Sequence, residues 1–145
     1  MIALLQRVTH ASVSVSENII GEIDQGILVL LGIEKNDDEA KAQRLVERIL
    51  NYRLFCDSED KMNLSVRDIN GGVLCVSQFT LAADTNKGNR PSFTSAAAPE
   101  LGRTLYNVVI ELLKENHNKL AQGEFGADMQ ITLTNDGPVT FWLQV

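Results

Sequence analysis

The chain has 145 residues, 44% of them apolar and 22% charged, and a formal net charge of −6. That length fits one domain with a core that needs no staples. The acidic balance excludes a protein that tracks a nucleic-acid backbone with a broad basic face, so any nucleic-acid contact is expected to be small or confined to an end, with Lys87 and Arg90 as the cationic pair in a loop.

No apolar run approaches the roughly 18 residues of a membrane span, and no basic leader precedes Arg7, so a cytoplasmic protein is expected. Cys56 and Cys75 are the only cysteines. They lie far apart with no CxxC, which reads as two reduced thiols, Cys75 buried in a strand. His10 and His117 are the only histidines. Without a local ligand pair, no metal site or cofactor is expected, and both read as surface or helix-capping residues.

In chain order, residues 2–8 read as a first strand, with Ile2, Leu4, Gln6 and Val8 on one face and Ala3, Leu5 and Arg7 on the other. Arg7 is the exception on an apolar side. Either it sits at a surface edge, or its stem crosses apolar ground so that its fork reaches a carbonyl or carboxylate. Residues 11–16 alternate strictly and pair as a hairpin with residues 19–23. Residues 27–33 are apolar on both faces, the signature of a central strand covered on both sides. Asn36 is a helix-cap candidate with Glu39 three residues on. Ala42, Leu45, Val46, Ile49 and Leu50 then form one stripe on a helix running to about residue 51.

Residues 71–81 are the stretch around which the chain is organised. Val73, Leu74, Cys75 and Val76 follow a glycine pair as a buried strand would. Ser77, Gln78 and Thr80 then break the polarity, either satisfying backbone groups where the strand turns or forming a site at its end. Residues 82–98 have no period and read as a long loop. Pro99 opens a second helix over residues 100–115, with Leu101, Leu105, Val108, Val109 and Leu112 inward. Residues 122–126 read as a turn. Residues 129–134 and 139–145 read as strands interrupted by Asn135, Asp136, Gly137 and Pro138. The order implies a single domain over residues 1–145 of mixed α/β, α+β-like class, a mixed sheet or partial β-barrel with two packed helices.

Four motifs occur in order: Ser77-Gln78-Phe79-Thr80-Leu81, the run from Lys87 through Arg90 to Phe93, the run from Gly123 through Phe125 to Met129, and Asn135-Asp136-Gly137-Pro138-Val139-Thr140. Together they resemble the D-aminoacyl-tRNA deacylase family of the bacterial type, over the whole chain. The resemblance implies a homodimer that hydrolyses the ester between a D-amino acid, or glycine, and the 3′-terminal adenosine of tRNA. It implies that Gly137 and Pro138, joined by a cis bond, enter the partner subunit's site beside Ser77, Gln78, Phe79 and Thr80 and exclude an L side chain. It also implies that Arg7 orients that motif, and that Phe125 and Met129 line an adenosine pocket.

Two mechanisms follow. Thr80 or Ser77 is a nucleophile forming an acyl-enzyme, which requires a positioned base, and no histidine falls in any motif. Alternatively, backbone N–H groups around residues 78–80 stabilise the oxyanion while the substrate's own 2′-hydroxyl helps activate water. The missing base favours the second. Rival functions are an esterase using Thr80 or Ser77 on small D-amino-acid esters, and a dimeric binding module that uses the loop from Lys87 to Phe93.

Overall fold

A bent strand of 14 residues, β1 (Ile2–Val15), forms the spine of the fold. The computed structural model describes residues 1–86 and 88–145; Lys87, expected to touch RNA, lies outside the described residues. β1 turns into β2 (Asn18–Ile23) through Ser16 and Glu17, at φ 49° and 66°. Two successive positive φ values make the tight hairpin turn whose twist matches that of the strands. β1 runs unbroken through the segment that the sequence pattern divides at residue 8.

β3 (Gly26–Gly32) pairs antiparallel with the first half of β1, β2 with the second half, and β8 (Met129–Gln144) with both halves along the opposite edge. β6 (Gly72–Ser77) lies parallel to β3, and the short β7 (Leu120–Gln122) lies parallel to β6. The sheet order is β2-β1-β3-β6-β7, with β8 on β1. The curl brings β2 back towards β7, where the Cβ direction of Gly21 points at the Gln122 carbonyl 3.0 Å away. The result is the expected α+β domain, a mixed and nearly closed barrel.

β3 and β6 are apolar on both faces because both faces are buried. Ile27, Val29, Val73 and Cys75 join the core under the helices, whereas Leu28, Leu74 and Val76 join Val8, Ala11 and Val13 inside the barrel. α1 (Glu39–Asn51) lays Ala42, Leu45, Val46, Ile49 and Leu50 on the first core, as its stripe predicts. Its cap is Asp38 rather than Asn36, the Asp38 carboxylate accepting the Lys41 N–H at 2.9 Å. Asp37 is thereby free for the chain start, and its buried carboxylate accepts from the Met1 ammonium at 2.7 Å and from the Glu34 N–H at 2.7 Å.

The link after α1 pairs β4 (Phe55–Cys56) with β5 (Met62–Leu64). α2 (Pro99–Asn116) starts with Pro99 at its first turn and is turned from the expected face. Leu105 and Val109 are buried, but Gly102, Tyr106, Ile110 and Leu113 complete the buried face, while Leu101, Val108 and Leu112 sit at its margin. α1 and α2 pack against each other over this core. His117 caps α2 but is buried, its Nε2 lying 2.8 Å from the Gly71 carbonyl.

Candidate active site

The organising strand ends earlier than its pattern suggests. β6 stops at Ser77, and Phe79–Ala82 form a 3-10 turn. The Gln78 N–H still donates to the Leu31 carbonyl at 2.8 Å, so the ladder to β3 holds the chain one residue past the strand. The turn then closes through Leu81 N–H to Gln78 O at 3.2 Å and Ala83 N–H to Thr80 O at 3.1 Å. Between these bonds, the N–H groups of Phe79 and Thr80 donate to no backbone carbonyl among the described residues. First-turn N–H groups are left over by helical geometry, and here they lie at the end of a fixed strand.

A cleft of about 520 Å³ opens beside this turn. Ser77, Gln78 and Phe79 form one wall and Phe125, Asp128 and Met129 another, with Gly102 and Pro99 of α2 at the side. Most of the lining is apolar. Asp128 is the charged lining residue among those described, and the sequence reading passed it over. Thr80 does not line the cleft. It is exposed, and its Oγ1 accepts from Gln78 Nε2. Phe79 is 61% exposed and leans on Phe93 with ring centroids 5.1 Å apart.

Tyr106, which the sequence reading did not single out, holds the two walls together. Its hydroxyl lies 3.1 Å from both the Cys75 carbonyl on β6 and the Gly123 carbonyl that opens the loop to Phe125. Burial, with the neighbouring Cys75, raises its ionisation above the ordinary phenol range, so it stays a donor. Its ring packs on Phe125 at 5.7 Å between centroids. Gly102 is needed beside it, because a Cβ there would meet Phe125 Cζ at 3.3 Å. Burial pushes the Cys75 thiol up to about 12. Cys75 is thus an inert filler.

The other half of the expected site stands elsewhere on this chain. Gln6 pairs with Thr140 and Val8 with Asn135, so opposite the single residue Arg7 the strand β8 carries the four residues 136–139. They bulge outward, and Gly137 and Pro138 are exposed and joined by a cis peptide bond. Arg7 takes the second of its two readings. Its Nε donates to the Asp136 carbonyl at 3.0 Å and its Nη1 to the Leu54 carbonyl at 2.9 Å. Asn135 secures the bulge from within, its Oδ1 accepting the Val139 N–H at 2.8 Å and its Nδ2 donating to Thr140 Oγ1 at 2.9 Å.

Arg7 stands beside Ile27 in the sheet whereas Ser77 stands beside Leu31. Four residues of strand separate these levels, about 13 Å. Neither Arg7, Gly137 nor Pro138 lines the cleft. Arg90 is exposed in the loop before Ser92 and does not line it either. His117 touches Gly71, at the far end of β6 from Ser77, and His10 is exposed on β1. Among the described residues no cluster of metal-ligating side chains occurs.

The profile of the family described as D-Tyr-tRNA(Tyr) deacylase matches residues 4–144. The chain belongs to this family. It is 59% identical over 145 residues to the D-aminoacyl-tRNA deacylases of Pseudoalteromonas atlantica and Histophilus somni, and 58% identical to that of Escherichia coli, with 100% of each chain covered. Among solved structures, the c-Myc DNA unwinding element binding protein superposes with a TM-score of 0.96 at 42% identity, covering 100% of this chain and 99% of that one. A probable eukaryotic D-amino acid tRNA deacylase, at 16% identity, shares the fold with a TM-score of 0.85 over 99% of this chain and 98% of its own. The match to the D-Tyr-tRNA(Tyr) deacylase family includes both the cleft beside Ser77 and the bulge at Gly137.

Proposed function

We propose that this chain is a D-aminoacyl-tRNA deacylase, a hydrolase that cleaves the ester between a D-amino acid, or glycine, and the 3′-terminal adenosine of tRNA in the cytoplasm. The observation that carries the reading is the cleft itself, in which Ser77, Gln78 and Phe79 face Phe125 and Met129, within a chain matched along residues 4–144 by the family. An apolar cleft of about 520 Å³ suits a nucleoside with an amino acid attached. A substrate held by its end needs no broad basic face, which fits a net charge of −6.

The Gly-Pro bulge acts from a second copy of the chain. Its level in the sheet, about 13 Å from that of Ser77, leaves one protomer's cleft without it, and a homodimer with shared sites brings the partner's bulge in. There the backbone of Gly137 and Pro138 holds the α-ammonium of the substrate and leaves no room for an L side chain. Discrimination comes from a clash with main chain, so the substrate side chain is free to vary. Glycine has no side chain to reject. Arg7 orients the bulge through the Asp136 carbonyl.

In the reaction, water adds to the ester carbonyl, the oxyanion is held by the N–H groups of Phe79 and Thr80, and collapse expels the 3′-oxygen, which takes up a proton. The substrate's 2′-hydroxyl assists the water. Support for this route over a Thr80 nucleophile is that no histidine stands near Thr80 and that its oxygen already accepts from Gln78. The test is release of D-tyrosine against L-tyrosine from charged tRNA. Strong preference for the D form is expected, with substantial activity kept in Thr80→Ala and little on tRNA ending in 2′-deoxyadenosine. Equal rates for both hands would sink the chiral reading, and total loss in Thr80→Ala with binding intact would restore the nucleophile. Turnover of free D-tyrosine esters as fast as of tRNA would instead favour the small-ester esterase.

A further inference from the structure

One cation at the rim of the cleft has no ion-pair partner among the described residues. Arg103, on the first turn after Gly102 of α2, places its guanidinium carbon 5.0 Å from the centroid of the Phe125 ring. Its Nη2 lies 3.7 Å from the Cβ direction of Gly126. Phe125, Gly126 and Gly102 all line the cleft, so Arg103 borders it on two sides. The side chain is exposed. Among the described residues Arg103 has neither an ion pair nor a hydrogen bond, unlike Arg7, Arg48 and Arg67; Arg44, Arg53 and Arg90 are likewise unpaired, and what sets Arg103 apart is that it stacks on a residue of the cleft. Stacking on Phe125 limits its motion while leaving the N–H edges of its fork open.

The terminal nucleotide of an RNA strand brings two things to such a site, a nucleoside and one phosphate on its 5′ side. The cleft provides an apolar bed, and the charged side chain that lines it, Asp128, has the wrong sign for a phosphate. We propose that Arg103 holds the phosphate on the 5′ side of the terminal adenosine, its guanidinium fixed in place by Phe125. The inference rests on the deacylase reading above. A planar fork matches phosphate oxygens in paired hydrogen bonds, and a stacked fork loses less freedom in making them. The same ring therefore serves both parts of one nucleotide.

The test compares two substrates that differ in this phosphate, D-tyrosyl-tRNA and 3′-O-D-tyrosyl-adenosine, which carries none. Arg103→Gln, and Arg103→Leu to keep apolar cover over Phe125, are expected to lower kcat/KM on the tRNA by about tenfold or more, the weight of one charge-assisted contact, through KM. On the nucleoside ester both variants should stay within about twofold of wild type, since the missing contact is a phosphate contact. The slope of log(kcat/KM) against log salt for tRNA should flatten by about 0.7, one phosphate on a single strand. Arg103→Lys should recover part of the loss. Equal losses on both substrates would reduce Arg103 to a prop for Phe125, and no loss on tRNA would put the phosphate elsewhere; either result overturns the proposal. A wild-type enzyme inactive on both substrates would instead bring down the deacylase reading, and this inference with it.

Discussion

Replacing Gly137 by alanine tests the bulge where backbone and side chain meet. Gly137 has φ +133°, a region that L residues rarely adopt, and holding alanine there costs about 1–3 kcal/mol. The new methyl would lie 2.7 Å from Val139 Cγ2 and 3.0 Å from Arg7 Nη2. Neither neighbour yields freely. Val139 is buried, and Arg7 is tied to the Asp136 and Leu54 carbonyls. The bulge must therefore shift, taking the Asp136 carbonyl off Arg7. In thermal unfolding the variant is expected to lose about 3–10 °C, at a few degrees per kcal/mol for a chain of this size. In deacylation it should lose about tenfold or more in kcat/KM on D-tyrosyl-tRNA, together with part of its preference over L-tyrosyl-tRNA. A variant that melts within about 1 °C of wild type would refute the strain argument. An unchanged D-over-L ratio in a variant that does lose stability would refute the role given to the bulge.

Gly102→Ala should raise KM severalfold with kcat nearly unchanged, because its Cβ pushes Phe125 by a few tenths of an ångström, and it should melt no lower than wild type, since alanine favours the helix; unchanged KM would show that Phe125 does not bear on substrate. Asp37→Ala takes from the buried Met1 ammonium its 2.7 Å partner but leaves Glu34 at 2.9 Å, so it should cost about 1–3 kcal/mol in urea unfolding, and no measurable loss would mean the ion pair is not buried in solution. The Cys75 thiol, raised from 9.0 to about 12, keeps its proton in the folded chain while the unfolded chain ionises. Its contribution is therefore full below pH 9 and is lost between pH 9 and 12 at about 1.4 kcal/mol per pH unit. Tyr106, also raised, steepens the fall above pH 10, and Cys75→Ala should lack the cysteine part of the slope. Native alkylation read by mass spectrometry should label the exposed Cys56 and spare Cys75.

Where one element satisfied its own pattern, the sequence was enough to read it. The stripe on α1 predicted its five buried residues because a single helix face meets a single core. The doubly apolar runs of β3 and β6 announced central strands for the same reason. Periodicity failed where two surfaces compete. On α2 the structure turns Tyr106 and Ile110 inward, and Tyr106 reaches two carbonyls that no sequence spacing connects to it. Arg7 was visible as a charge on an apolar face, but its acceptor, the Asp136 carbonyl, lies 129 residues away. Arg103 carried no signal at all, since an arginine on a helix is ordinarily a solvated one.

The sequence by itself determined the class of the fold, the buried strand through Val73 and Val76, and the motifs that mark the family, since each is written in local order. Tertiary structure alone decided that β8 bulges four residues opposite Arg7 and that this bulge stands at another level of the sheet from Ser77. It also decided that a tyrosine from α2 joins the walls of the cleft and that an arginine lies across Phe125. Those are contacts between segments far apart in the chain. They depend on how the sheet curls and how the helices settle on it, which local preference does not encode.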